Sequence, residues 1–502
     1  MFFFRYCVAT ATCAVFLTAC DGRLRSARQT ADATGNPEMY RLVEHYKDDP
    51  EKLTAVAFLL ENVAGHEART FELVDSAGNA SGFSLYRAGA TSGRYQDMLD
   101  SAGLRLRRRT LPDAAVLTAD YLIRDIDLAF DSWKNNPWSR LYSEEMLREY
   151  ILPYRVADER ISDWRSFLAD RYRPMIDTMS APRTVENVAA LVISDIQKWY
   201  RYDSGVLTLE TMPTPEEAYV YGKGECYSMA NMFVLGLRAV GIAAATDVIP
   251  VWGTSRGGHA EAAYFDEYGN PVTLTTGSNL GAKPVRVYRV RYSRQHADRE
   301  AAARGVSPFW EDVTALYTNT SDIRIPVDTA AFGPEERSSL GLAVYGSRSW
   351  RAGVMADSVS LWPDGESGRP VAHFSRIGRS ILYMPAVVRG GYTYPVGEPF
   401  TLDYKGNIAY IRPDTSHRIT LHLTTLLTDT VVFRPDDYRL LYWADGDWKE
   451  HPGKVETNPK NRAAYLIRDV PGRTFYRLHD RTTGRDYRNR PFTTDGWWIQ
   501  RY

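Results

Sequence analysis

The stretch that decides the fold is GKGECYSMANMFVLGLRAVGI, residues 222–242. Two glycines lead into Cys226, and apolar residues then recur at the spacing of one helix face. These apolar residues are Met229, Phe233, Leu237 and Val240. Gly241 suits the end of a helix, because glycine adopts the left-handed conformation at low cost. The segment therefore predicts a helix that begins near Cys226 and is followed by strands, since the apolar spacing then changes to two.

The residues just before this stretch predict a second, shorter helix. The sequence TPEEAYVY, residues 214–221, offers Thr214 as a cap and Pro215 at the first helical position. Glu217 stands three residues after Thr214, which is the spacing of a capping box. Cys226 is therefore expected to follow a glycine-containing turn between two helices.

Cys226 is a candidate nucleophile because of how the four cysteines are distributed. Cys7 and Cys13 fall in an apolar N-terminal stretch that is too short to span a bilayer and is typical of a signal peptide. That stretch ends in LTAC, which resembles a lipobox with Cys20 as the lipidated residue. A solitary remaining thiol in an exported protein is either a nucleophile or a small buried apolar side chain.

The N-terminal features predict a lipoprotein. Residues 1–20 form the expected signal peptide, residues 21–37 are polar and small and form the expected linker, and lipid on Cys20 provides the membrane contact. No later stretch reaches the ~18 consecutive apolar residues that a spanning helix needs. The predicted location is the cell envelope, on the periplasmic side or at the cell surface.

Composition and short motifs argue against several classes of binding partner. Hydrophobic residues make up 44% and charged residues 25% of the chain, as in soluble globular proteins. The formal net charge is -1 and no basic block occurs, which argues against nucleic acid as a partner. The sequence has neither HExxH nor a CxxC pair, so it predicts no metal and no cofactor.

A thiol nucleophile must lose its proton near neutral pH, whereas free cysteine titrates near 8.5. The N-terminus of a helix favours the thiolate, and a neighbouring imidazole can take the proton and later return it. Cys226 meets the first condition. His259 is the best candidate for the second, because it follows Gly257-Gly258 and opens a predicted strand, HAEAAYFD.

This arrangement resembles the transglutaminase-like superfamily, whose core is a papain-type cysteine fold. The residues that match the family pattern are Gly224, Cys226, Leu237, Arg238, Ala239, Gly241, Ile242 and His259. The resemblance implies that Cys226 is the nucleophile and His259 the acid and base. It also implies a peptide, protein or glycopeptide substrate.

The sequence departs from that family at two positions. Glu261 stands where the family usually has an aromatic residue, two positions after the histidine. The aspartate expected on the third strand is missing, and a hairpin turning near Glu267–Gly269 would place Thr275 or Thr276 opposite His259. Thr275 and Glu261 are therefore the candidates for a third member of the site, and Asp266 is a further carboxylate that is expected instead to cap the hairpin turn.

Composition and spacing suggest an α+β multidomain chain. A helical domain is predicted over 38–180, the transglutaminase-like α+β core over 181–295, and C-terminal β-sandwich domains over 310–400 and 401–502. Segments such as EYILPYRV, WEDVTALY and YRLLYWADGDWK extend the resemblance to lipoproteins of Bacteroidota that place a helical segment before such a core.

Two functions remain open from the sequence. The first is amide or peptide hydrolysis, or acyl transfer, through a thioester on Cys226, with hydrolysis favoured because water is abundant. The second is a catalytically inactive scaffold whose β-domains bind glycan or protein. Tyr442, Trp443 and Trp448 could line a sugar-binding surface, although large aromatic residues more often belong to a core.

Overall fold

The structure is a computed structural model that describes most of the chain. The described residues are 22–209, 211–255, 257–274, 281–327, 333–346, 349–360, 370–423, 435–458, 461–484, 486, 490–494 and 499–502. No helix among these residues is long and apolar enough to cross a membrane. The predicted signal peptide, including Cys20, lies outside the described residues.

Tertiary contacts divide the chain into two compact units. The first unit takes the described residues within Met1–Asp247, Ala260–Thr275 and Val290–Gln295. The second takes those within Val248–His259, Thr276–Arg289 and His296–Tyr502. The first unit is mainly helical and the second is built from many small antiparallel sheets, which agrees with the predicted α+β class.

Helices make up most of the first unit. Their bounds are α1 22–33, α2 Pro37–His45, α3 Pro50–Asn62, α4 Tyr95–Ala102, α5 Asp113–Val116, α6 Ala119–Asn135, α7 Glu144–Tyr150, α8 Trp164–Asp177, α9 Val185–Trp199, α10 Pro215–Tyr221 and α11 Cys226–Ala239. The start of α3 shows how local sequence sets these bounds: the Asp49 side chain accepts a hydrogen bond from the Lys52 N–H, and Pro50 takes the first position.

The first unit also contains strands. Their bounds are β1 Glu67–Val74, β2 Arg105–Pro112, β3 Arg201–Tyr202, β4 Lys223–Gly224, β5 Ala244–Ile249, β6 His259–Phe265 and β7 Pro271–Thr273. By their contacts, the last two residues of β5 and His259 at the start of β6 fall in the second unit. Strands β1 and β2 form an antiparallel ribbon, and β3 pairs with β4 in parallel. Strands β7, β6 and β5 are consecutive neighbours in one sheet, with β6 between the other two.

Two parts of the first unit differ from the sequence predictions. Residues 22–33, predicted as a linker, are helical, and Ala27 and Ala31 on that helix are buried in the core. The predicted helical domain contains the β1–β2 ribbon, whose second strand is largely exposed and rich in arginine. Such a strand lacks the apolar alternation by which a half-buried strand is recognised.

Helix α11 is the central element of this unit, with α8 and α9 packed against it. All but three of its residues are buried. A side chain at Gly236 would place its Cβ 2.8 Å from Ile196, so glycine there lets α9 approach closely. The buried guanidinium of Arg165 on α8 pairs with Asp125 at 2.8 Å and also donates to the carbonyl of Arg238 on α11. Helix α11 is thus held within a densely packed helical core.

The described part of the second unit contains one α-helix, α12 Asp298–Arg304, three short 3-10 helices and many strands. The strand bounds are β8 Tyr288–Val290, β9 Trp310–Asp312, β10 Thr320–Pro326, β11 Leu340–Tyr345, β12 Trp350–Met355, β13 Ser358–Ser360, β14 Val371–Gly378, β15 Ile381–Arg389, β16 Tyr392–Pro395, β17 Phe400–Leu402, β18 Ile408–Tyr410, β19 Asp414–His422, β20 Tyr438–Ala444, β21 Asp447–Glu450, β22 Glu456–Asn458, β23 Asn461–Gly472, β24 Phe475–Asp480, β25 Phe492–Thr494 and β26 Ile499–Arg501.

These strands form several small sheets. One buried apolar cluster joins Ala343 and Leu382 of the β11–β15 sheet to Trp443 and Phe475 of the β20–β24 sheet. The orders among described strands are β10-β14-β13, β12-β11-β15-β17-β18 with β16 also on β15, β19-β23-β22, and β21-β20-β24-β25-β26. The predicted hairpin at Asp445-Gly446 joins β20 to β21, and both turn residues have positive φ, as a tight hairpin turn requires. Trp443 before this turn is 4% exposed and stacks on Phe475, so the core interpretation is confirmed for Trp443.

Candidate functional site

The residues just before Cys226, Gly222 to Gly224, are held in place by backbone pairing and by close packing. Gly222 ends α10 in the left-handed conformation, with φ of 73°. The next two residues form β4 and pair with β3, and the carbonyl of Gly224 accepts a hydrogen bond from the Asp203 N–H at 3.0 Å. A Cβ at Gly224 would overlap the hydroxyl groups of Tyr200 and Ser228. This glycine is therefore required by packing, and it fixes where α11 begins.

Cys226 is the first residue of α11, as the sequence predicts, and Glu225 is the cap of the helix. The two carboxylate oxygens of Glu225 accept hydrogen bonds from the backbone N–H groups of Tyr227 and Ser228, each at 2.8 Å. A negative side chain is stable here because the exposed N–H groups make a helix N-terminus electropositive. This role of Glu225 was not predicted from the sequence, because the preferred residues at the cap are Ser, Thr, Asp and Asn.

The same carboxylate lies beside the thiol. The Sγ atom of Cys226 is 3.4 Å from Oε2 of Glu225, and the thiol donates to that oxygen. Burial raises the pKa of the Cys226 thiol, and the Glu225 charge raises this pKa further. Hydrogen bonds from the backbone N–H groups of Ala260 and Tyr227 lower this pKa, but by less than burial and the Glu225 charge raise it. The helix N-terminus alone predicts a lowered pKa, so burial, together with the Glu225 charge, reverses the expected direction.

Strand β6 approaches the thiol through its second residue. The N–H of Ala260 is directed at the Cys226 sulfur. His259 is the residue before Ala260 and the first of β6, and its ring is half-buried. That ring stacks on the indole of Trp252, with the ring centroids 6.1 Å apart and the planes inclined by 28°. Stacking fixes the orientation of an imidazole while leaving its nitrogens in the ring plane for hydrogen bonds.

The candidates for a third member have different outcomes. Thr275 and Thr276 lie outside the described residues. Glu261 lies on β6 and is only 4% exposed. Asp266 caps the hairpin turn between β6 and β7, because its carboxylate accepts from the N–H groups of Tyr268 and Asn270. The hairpin therefore turns where the sequence predicts it.

Buried polar contacts lock α11 onto the neighbouring strand β5. Arg238, near the end of α11, donates from Nε and Nη2 to the carbonyl of Ala244 at 3.0 and 2.9 Å. The hydroxyl of Thr246 donates to the side-chain oxygen of Asn231 at 2.8 Å. These buried polar groups are costly unless paired, so each fixes the helix against the strand. The arginine that the resemblance matches by position thus has a structural contact in this chain.

A cavity of about 530 Å³ lies beside the start of α11, within the first unit. Gly224, Glu225 and Ser228 line it, so it borders the residues that flank Cys226. Its charged lining has both signs, with Arg69 and Lys223 opposed by Asp158 and Glu225. Clefts of this size with a few polar groups commonly bind small ligands or single residues of a chain. The described His, Cys, Asp and Glu residues form no group of three or more that could hold a metal ion.

Comparison with known proteins adds no relative to this description. No family model, no curated protein and no solved structure matches the chain. The function is therefore inferred from the geometry around Cys226 and from the sequence motifs that carry the resemblance.

Proposed function

We propose that this chain is an exported lipoprotein with cysteine-dependent amide hydrolase or acyltransferase activity. Cys226 is the nucleophile and His259 the general acid and base. The observation that carries this proposal is the position of the thiol at the first residue of α11, with β6 against it through the Ala260 N–H. The cavity lined by Gly224, Glu225 and Ser228 supports the binding of a small substrate group beside the start of α11.

The reaction proceeds in two stages. His259 takes the thiol proton, the Cys226 sulfur attacks an amide carbonyl, and the tetrahedral intermediate collapses when His259 returns the proton to the leaving amine. A thioester then joins the acyl group to Cys226. Water or an amine attacks the thioester with His259 as base, which releases the acid or a new amide and restores the thiol. The Glu225 carboxylate occupies the Tyr227 and Ser228 N–H groups, which leaves the Cys226 N–H as the helix donor for the oxyanion.

One observation favours the alternative function, an inactive transglutaminase-like scaffold with binding β-domains. The resting thiol has a raised pKa, because it is buried and lies beside a carboxylate. Structural cysteines have this property, whereas most catalytic cysteines have a lowered pKa. The two functions therefore predict different reactivity for the same sulfur.

The deciding experiment is the pH dependence of iodoacetamide labelling in the mature chain, which has Cys226 as its sole free thiol. The variants are the wild type, His259→Ala and Cys226→Ala, the last as the blank. For an enzyme, we expect His259→Ala to slow labelling below pH 8 and to lower hydrolysis of a peptide-amide substrate by about 10²-fold or more. If labelling is equally slow in both proteins and follows an ordinary thiol titration, the scaffold function stands and the hydrolase proposal fails.

A further inference from the structure

The second unit contains a groove of about 780 Å³ whose lining is dominated by aromatic rings. We call it the aromatic groove and define it by the rings that line it, which are Tyr345, Trp350, Tyr392, Tyr394, Trp443 and Trp448. The rings come from strands β11, β12 and β16 and from the β20–β21 hairpin. Aromatic side chains from distant parts of the sequence therefore converge on one depression.

The rings of the aromatic groove fall into a floor and a rim. Trp443 is buried and belongs to a core cluster, whereas Trp350 and Trp448 are partly buried against that cluster. Tyr392 is 73% exposed and Tyr394 is 43% exposed. Large aromatic side chains are usually well buried, so exposed rings beside such a groove indicate a contact surface for a ligand.

Two of these rings each contact an arginine that is itself paired with a carboxylate. The guanidinium of Arg389 lies 5.3 Å from the centre of the Tyr394 ring and forms two hydrogen bonds with Glu336. The guanidinium of Arg477 lies 4.3 Å from the Trp448 ring and 3.5 Å from Asp486. A ring fixed in this way loses little conformational entropy when a ligand stacks on its other face.

The polar lining is nearly neutral. Among the described residues that line the groove, Arg351 is the cation and Asp447 the anion, and both are exposed. Ser349 and Thr393 add hydroxyl groups. This balance disfavours a strongly charged ligand, whereas a ligand rich in hydroxyl groups finds both donors and acceptors.

We infer that the aromatic groove binds an uncharged carbohydrate chain. A sugar ring presents one face of C–H groups, which the negative face of an aromatic ring attracts, and an edge of hydroxyl groups for Asp447, Arg351 and Thr393. The volume falls within the range of about 300–1,000 Å³ that is usual for ligand sites. The groove lies within the second unit, and its test requires no catalysis by Cys226.

The test is affinity electrophoresis of the full mature chain in native gels that contain soluble β-glucan, xylan or galactomannan. Tryptophan fluorescence titration with the retarding polysaccharide then gives the Kd. We expect Tyr392→Ala/Tyr394→Ala to weaken binding at least tenfold, because both stacking faces at the rim are removed. Both side chains are exposed, so the double variant retains the fold.

Tyr404→Ala is the matched control, because Tyr404 is 66% exposed and lies under Lys405 as Tyr394 lies under Arg389, but it does not line the groove. Its Kd should equal that of the wild type. The inference fails if none of the three neutral polysaccharides retards the wild type. It also fails if polygalacturonate or an unrelated peptide binds more tightly than they do, or if Tyr404→Ala weakens binding as much as the double variant.

Discussion

Helices α10 and α11 follow one another directly, and the N-terminus of each is satisfied by a side chain of its own. In α10 the cap is the neutral hydroxyl of Thr214, which accepts from the Glu217 N–H, while the Glu217 carboxylate accepts from the Thr214 N–H. In α11 the cap is the carboxylate of Glu225, and the next residue is Cys226. The first cap only stabilises a helix, whereas the second also sets the charge environment of a thiol.

The difference shows that a helix N-terminus is not by itself an activating device. The positive end of a helix can stabilise one negative group well, and in α11 Glu225 already takes that place. A thiolate on Cys226 would stand 3.4 Å from a carboxylate oxygen, in a partly buried site where screening by water is weak. The same geometry that begins the helix therefore adds to the effect of burial, and both raise the pKa of the Cys226 thiol.

The most direct test of this difference between the two caps is the substitution Glu225→Gln. The substitution removes the negative charge beside the sulfur, so the pKa of the Cys226 thiol should fall, while the amide oxygen of glutamine can still accept one of the two backbone hydrogen bonds. We expect faster thiol–disulfide exchange at pH 7. A tenfold gain in thiolate would give a roughly threefold gain in rate, because nucleophilicity falls as the pKa falls.

Exchange with an aromatic disulfide reagent, followed from pH 6 to pH 10, measures this change. The matched control is Glu217→Gln, which makes the same substitution in the cap of α10 and should leave the exchange rate unchanged. Equal effects of the two substitutions would contradict the proposed link between the α11 cap and the thiol.

The next largest effect concerns stability. Thr214→Ala removes the hydroxyl that accepts from the Glu217 N–H, and loss of such a cap costs about 1 kcal/mol. We expect a lower urea midpoint, recovery of most of the loss in Thr214→Ser, and no change in the reactivity of Cys226. If Thr214→Ala changes thiol exchange as much as Glu225→Gln does, then the thiol responds to the placement of the helices and the charge argument is wrong.

The starts of both helices could be predicted from sequence because caps depend on residues only a few positions apart. Thr214 with Glu217, and the glycines before Cys226, were sufficient for that. The role of Glu225 was missed because a glutamate at a cap can face solvent or fold back onto the N–H groups, and the sequence does not distinguish these rotamers. A glutamate directly before a helix-starting cysteine is the signal that could have revealed it.

Long-range features were less accessible to sequence reasoning. The contacts of Arg238 with β5 and the stacking of His259 on Trp252 depend on where the elements pack. The β1–β2 ribbon was missed because arginines dominate β2 and obscure its apolar residues, although Leu73 of β1 is buried and Leu106 of β2 packs against the same apolar cluster. The aromatic groove joins rings from strands that are far apart in the chain, so no local sequence pattern predicts it.

The smallest effect is a pH dependence of stability that the α11 thiol contributes. The pKa of Cys226 is raised in the folded chain, so the folded state holds this proton more tightly than the unfolded chain does. This contribution is fully present below the ordinary thiol pKa of about 8.5 and is lost as the pH rises through the folded value. Cys226→Ser removes this contribution.

We therefore expect the Tm of the wild type to fall relative to the Tm of Cys226→Ser between pH 7 and pH 10. Glu225→Gln should weaken that shift, whereas Glu217→Gln should not. A difference in Tm that does not change with pH would mean that the thiol titrates alike in the folded and unfolded chains, and the contrast between the two caps would then be one of helix stability alone.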